Sequence, residues 1–163
     1  MNQASETDVL GLQAEKQHLT IEQVQTLPEL LAMRVRCTPS AEAYREFDEG
    51  TNAWKSLSWA ETAERVALWS RALCASNLPV RARVAILLPN GFDAMTIDQA
   101  CLRCGYVPVP LHAIDNAGSI AYILADSGAS LLVVADAKAW QKICATGQDL
   151  PELQAVIHAQ QGR

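Results

Sequence analysis

The chain has 163 residues, a net charge of -5 and a pI near 5.1, with 50% of its residues hydrophobic and 19% charged. That length predicts one domain burying ~70% of the surface its unfolded chain exposes, and the composition excludes an intrinsically disordered chain. The acidic balance, with no Lys/Arg run, excludes the broad basic surface that nucleic acid or an anionic membrane requires. No apolar run reaches the ~20 residues that span a bilayer. Residues 1–6 are polar, without the basic and apolar regions of a signal peptide. The five cysteines, Cys37, Cys74, Cys101, Cys104 and Cys144, are odd in number and irregular in spacing. That pattern argues against a secreted disulfide framework and points to the reducing cytoplasm.

In chain order, residues 1–25 are polar and weakly patterned, and they read as a flexible lead-in with at most one helical turn. Thr26-Leu27-Pro28-Glu29 is a capping box, in which Thr26 caps a helix and Glu29 reaches back. Pro28 falls in the first turn, where no helical N–H partner is lost. Pro39 stops the helix by pushing Thr38 out of the α region. Segments 43–47 and 54–58 have strand character around the turn cluster Asp48-Glu49-Gly50-Thr51-Asn52, which predicts a hairpin. Ser58-Trp59-Ala60-Glu61 is a second capping box. The helix after it carries Ala63, Val66, Ala67, Ser70, Leu73 and Cys74 as a core-facing stripe. Glu61 and Arg65 are expected to pair on its wet face.

The pattern then changes. Val84-Ala85-Ile86-Leu87-Leu88 and Leu131-Leu132-Val133-Val134 are continuous apolar runs, and 107–111 and Ala155-Val156-Ile157 are weaker ones. Runs without alternation are strands buried on both faces, as in a parallel sheet. Helical stretches at 92–104, 119–127 and 137–146 separate them. Asn90, Asn116 and Asp136 are the expected N-caps, and Gly105 and Gly128 the C′ glycines. The order β-α-β-α-β-α-β predicts a doubly wound α/β domain with a mostly parallel sheet, preceded by a helix and a hairpin. The domain is expected to run over 26–163, with 1–25 outside it.

Three constellations qualify as candidate chemistry. Cys101-Leu102-Arg103-Cys104 is a C-x-x-C, but it falls at the C-terminal end of its helix, where the dipole opposes a thiolate. A zinc site needs two further ligands. His112, Cys74 and Cys144 are the remaining donors, and none forms a second close pair, so core or helix-face cysteines are the expectation. Pro89-Asn90-Gly91 joins a strand to a helix, where backbone N–H groups hold phosphates. It lacks both G-x-G-x-x-G and G-K-[ST], so a plain turn capped by Asn90 accounts for it. His112 and Asp115 follow the strand predicted at 107–111, at the sheet end where ligands bind. They have no nucleophile or third group beside them, and a loop-ordering role is expected. His18 and His158 read as surface residues. Trp54 and Trp59 are expected under the first helix, and Trp69 and Trp140 in core packing.

Taken together, Trp54-Lys55-Ser56-Leu57-Ser58-Trp59-Ala60-Glu61, Arg83-Val84-Ala85-Ile86-Leu87-Leu88-Pro89-Asn90, Gly105-Tyr106-Val107-Pro108-Val109-Pro110-Leu111 and the helix from Ser119 to Ala129 resemble the acyl-CoA synthetases, the adenylate-forming ligases. The resemblance runs from Thr26 to about Ile157. The tryptophan–lysine hairpin and the Val-Pro-Leu strand lean toward the long-chain fatty acid branch. It implies an enzyme that joins a carboxylate to ATP, with Mg, and passes the acyl group from the adenylate to CoA. The family's Ser/Thr/Gly-rich phosphate loop, adenine-binding aromatic, ribose-binding Asp, Arg and C-terminal Lys have no counterpart in this sequence. No catalytic, cofactor-binding or metal residue is therefore carried over, and the chain alone is expected to be inactive scaffold.

The implied partners are the remainder of the enzyme and, through it, a fatty acid. An uncovered strand edge and apolar face predict self-association of a truncated chain. The rival reading is a free-standing α/β binding or interaction module without catalysis. A response-regulator receiver is excluded, because the first strand of the parallel run, at 84–88, ends in Pro89-Asn90-Gly91 and not in clustered acids.

Overall fold

The computed structural model describes residues 21–159. Most of the expected lead-in, including His18, lies outside the described residues. Ile21–Gln23 form a single 3-10 turn. Helix α1, Leu27–Cys37, starts at the expected box: Thr26 Oγ1 accepts from Glu29 N at 3.3 Å, and Glu29 Oε2 accepts from Thr26 N at 3.0 Å. Gln25 N also donates to that carboxylate, and this bond is the leading reason the Glu29 carboxyl titrates below its usual range. Strands β1, Glu42–Asp48, and β2, Ala53–Ser58, pair antiparallel with Phe47 opposite Trp54. Asp48 Oδ1 accepts from Gly50 N and Thr51 N and so closes the turn.

Helix α2, Trp59–Cys74, repeats the box with Ser58 and Glu61. Its buried line is Thr62, Val66 and Leu73. The buried hydroxyl of Thr62 is satisfied by donating to Ser58 O at 2.8 Å. Cys74, expected on that line, is exposed at the helix end. Arg65 acts on Glu61 only through its charge, a minor cause lowering that carboxyl after the Ser58 cap, and not as the expected close pair. Glu61 is held by the cap, and the Arg65 guanidinium turns to Asp93 at 3.6 Å and over the Phe92 ring at 5.6 Å.

The main sheet is parallel, in the order β4-β3-β5-β6, built from β3 (Arg83–Leu87), β4 (Val107–Pro110), β5 (Leu131–Val134) and β6 (Ala155–His158). The order explains the strengths of the apolar runs. Central β3 and β5 are buried, whereas β4 and β6 are edges and only partly covered. Helix α3, Phe92–Arg103, crosses from β3 to β4. Helix α4, Ala117–Ser127, returns to β5, and α5, Ala137–Cys144, leads to β6. Alternate residues of β3 and β5 feed two cores. Val84, Ile86, Leu131 and Val133 pack with Leu73 and Ile97 of α2 and α3. Ala85, Leu87, Leu132 and Val134 pack with Ile120 and Leu124 of α4 and Ile143 of α5. The expectation of an uncovered sheet face is thus corrected, because helices close both faces.

Several local expectations are met. Gly105 and Gly128 take the left-handed backbone, at φ +74° and +60°, that ends α3 and α4. Trp59 lies beneath α1, 5.1 Å from the Arg34 guanidinium. Trp69 and Trp140 pack partly buried against the two cores. Trp54 does not join Trp59. It stands 65% exposed on the hairpin, edge-on to Phe47 at 5.3 Å.

Candidate functional site

The chain leaves β3 toward β4 on one side and then crosses to β5 on the other. The topological switch therefore falls between β3 and β5. In open α/β sheets the crevice at the carboxyl ends of the strands flanking such a switch is the favoured ligand position. Here it is bounded by Leu88-Pro89-Asn90-Gly91 and by Ala135-Asp136. His112 and Asp115 follow β4, an edge strand, and so lie off the switch. Both are exposed, and the contact between them is a turn in which Asp115 N donates to His112 O. They lie in the exposed loop between β4 and α4.

Asn90 is not the cap of α3. The N-cap position is Gly91, which has no side chain to give, and the acceptor comes from 46 residues upstream. Glu46 of β1 sets Oε2 2.7 Å from Phe92 N. The hairpin thus carries a carboxylate into the place where a helix N-terminus would hold a phosphate. Gly91 makes the approach feasible: a Cβ there would meet Glu46 Oε2 at 2.9 Å. Helices α4 and α5 are capped locally, by Asn116 to Ser119 N and by Asp136 to Ala139 N, both at 2.9 Å and both as expected.

A groove of about 770 Å³ opens beside this corner, between the hairpin, α2 and the start of α3. Glu46, Asp48, Glu49 and Asp93 line it, with Lys55 and Arg65 as its cations. Lys55 forms an ion pair with Asp48 across the hairpin, which is the main cause holding the Asp48 carboxyl down at about 2. Arg65 is engaged with Asp93. A surface so rich in carboxylates repels a polyphosphate. The residues here do not fit ATP or its metal, and no group of three His, Cys, Asp or Glu side chains among the described residues could hold a metal ion.

The C-x-x-C splits. Cys101 is fully buried in the core, and burial pushes its thiol up to about 12. Cys104 turns instead to Cys74 at the end of α2, with the sulfurs 3.0 Å apart. The Glu46 cap and the Cys74–Cys104 contact are both long-range, and no local motif announces either. His158 ends β6 exposed, as expected.

The fold places the chain in a class. It superposes on a fatty acyl CoA synthetase of Mycobacterium tuberculosis with a TM-score of 0.72 at 22% identity, over 82% of this chain and 26% of that one. It superposes equally well on the N-terminal domain of FACL13 from the same organism, over 83% of this chain and 34% of that one, again at 22% identity. At these identities the likeness establishes the fold, which is that of acyl-CoA synthetase N-terminal domains. In sequence, the AMP-binding enzyme family model matches residues 31–163, and the chain belongs to that family. Among curated relatives it is 31% identical over 108 residues to the long-chain-fatty-acid–CoA ligase heimdall of Drosophila melanogaster, and 37% identical over 100 residues to a feruloyl-CoA synthase of Amycolatopsis. Those alignments cover 66% and 61% of this chain but only 16% and 19% of the relatives. No helix among the described residues is long and apolar enough to cross a membrane.

Proposed function

We propose that the chain is the amino-terminal scaffold of an ATP-dependent long-chain fatty acid–CoA ligase working in the cytoplasm. The family match over residues 31–163, on a fold shared with acyl-CoA synthetases, carries the reading. The fatty acid choice is supported by the heimdall relative together with the Trp54-Lys55 hairpin and the Val109-Pro110-Leu111 strand end. In this reading ATP, Mg and CoA are bound by segments outside this sequence, and the remainder of the enzyme is the partner. The part played here is structural. Two covered sheet faces and three capped helices hold the carboxyl end of the sheet rigid as one wall of the catalytic cleft.

The test is acid-dependent pyrophosphate release with a fatty acid panel, run on the 163-residue chain and on the complete reading frame that contains it. The chain alone is expected to be silent and the complete product active on long-chain acids. Activity in the chain alone, or a complete product without acid-dependent adenylation, refutes the assignment. Self-association of the isolated chain would run through the open β6 edge, and light scattering at high concentration reads it.

A further inference from the structure

Helices α2 and α3 lie side by side over one face of the sheet and end together. Cys74 is the last residue of α2, and Cys104 follows the last residue of α3. Their Sγ atoms are 3.0 Å apart although the residues are 30 positions apart in sequence. Cys74 is exposed, whereas Cys104 is half-buried and also donates to Ser70 O. We infer that Cys74 and Cys104 are a redox site that closes to a reversible disulfide under hydroperoxide, stapling the C-terminal ends of α2 and α3.

The geometry requires little movement. A disulfide has its sulfurs ~2.05 Å apart, so the pair must close by about 1 Å, within reach of small side-chain rotations. Roles follow from exposure. Burial pushes the Cys104 thiol up to about 11, and Cys101 is sealed in the core, so neither meets oxidant first. Cys74 is the entry point. Its sulfur attacks the peroxide oxygen, the O–O bond breaks, and the thiol proton leaves with the departing oxygen as water, giving the sulfenic acid. Cys104 sulfur then attacks Cys74 sulfur. The S–OH bond breaks, and hydroxide leaves as water with the Cys104 proton. Two thiols lose two electrons in all, and one hydrogen peroxide becomes two waters.

The bond would enclose β3 and α3 in a covalent loop, tying down the strand–helix unit that carries Gly91 and the Glu46 contact. Closure needs a two-electron oxidant, which hydroperoxide supplies, and a thiol reductant reopens the bond.

The experiment uses folded protein in a Cys37→Ser/Cys144→Ser background, treated with hydrogen peroxide, blocked with alkylating agent and digested with trypsin without reductant. Cys74, Cys101 and Cys104 fall in separate tryptic peptides, 72–81, 84–103 and 104–138. The expected product is 72–81 joined to 104–138, about 2 Da lighter than the two thiol peptides together and lost on reduction. The thermal midpoint should rise by about 7–15 °C on oxidation, as closure of a loop of this length implies. Reduction should reverse the shift, and Cys74→Ser or Cys104→Ala should abolish it. Full alkylation of both cysteines after peroxide, sulfinic acid at Cys74 with Cys104 still free, a link to Cys101, or a lowered midpoint on closure each overturns the proposal.

Discussion

The contact between Glu46 and α3 makes a quantitative claim that a mutant cycle can check. The Glu46 carboxylate accepts the Phe92 N–H at 2.7 Å at the positive end of a helix. A hydrogen bond to a charged group contributes about 1.5–3 kcal/mol, and loss of an N-terminal cap costs about 1 kcal/mol. Glu46→Ala should therefore destabilise the protein by about 2 kcal/mol. Glu46→Gln keeps an acceptor but loses the charge–dipole attraction, and should cost about 0.5–1 kcal/mol. Gly91→Ala attacks the same contact from the other side. Its Cβ would sit 2.9 Å from Glu46 Oε2 and 3.0 Å from Cδ. Gly91 has φ 167°, extended backbone open to any residue, so the cost of that substitution is displacement of the carboxylate. Alone it should cost about 1–2 kcal/mol. In a Glu46→Ala background it should cost nothing, or stabilise by about 0.5 kcal/mol through the stiffer unfolded chain. Urea unfolding followed by far-UV circular dichroism gives the four stabilities. The double variant should lie about 2 kcal/mol below wild type, with a coupling above 1 kcal/mol. Additive losses of about 3–4 kcal/mol, or a Glu46→Ala loss under about 0.5 kcal/mol, would show that Glu46 does not cap α3.

Three further outcomes follow from other parts of the molecule. Leu73 is fully buried between α2 and the sheet, so Leu73→Ala should cost about 2–5 kcal/mol in the same unfolding assay. Asp48 titrates at about 2 in the folded chain against 3.8 ordinarily, chiefly because of Lys55. A depressed carboxyl stabilises the fold above its unfolded pKa, and that stability is lost as pH falls. The wild-type urea midpoint should therefore decline between pH 4 and pH 2, and Lys55→Met should flatten that decline. Along β4, Val107 N and Leu111 N donate inward to Ala82 O and Ile86 O. The alternate positions, Pro108 and Pro110, face the open edge with no N–H to offer. Pro108→Val/Pro110→Val should restore two edge donors and raise self-association by light scattering, and an unchanged mass would count against proline blocking of that edge.

Much of the fold was legible in the sequence because its causes are local. Thr26-Leu27-Pro28-Glu29 and Ser58-Trp59-Ala60-Glu61 satisfy their own helix ends within four residues, and the structure has both boxes. Gly105 and Gly128 terminate helices through a backbone angle that depends on the residue alone. The uninterrupted runs at 84–88 and 131–134 declare burial on both faces before any neighbour is known, and they became the two central strands.

What remained hidden depends on residues meeting across the chain. Asn90 has the chemistry of a cap, but the hairpin delivers a charged carboxylate to the same N–H, and the stronger acceptor takes it. Glu61 and Arg65 have helical pairing distance, yet the capping box claims one and Asp93 the other. His112 and Asp115 sit after a strand, but only the strand order shows that strand to be an edge, away from the switch. Cys104 has a partner in sequence three residues away and a different one in space, because the ends of α2 and α3 converge. The sequence alone determined the elements, their caps and the family resemblance. The tertiary structure decided which polar groups meet, since hydrogen bonds and thiol contacts act over a few ångströms and the chain's path sets those distances.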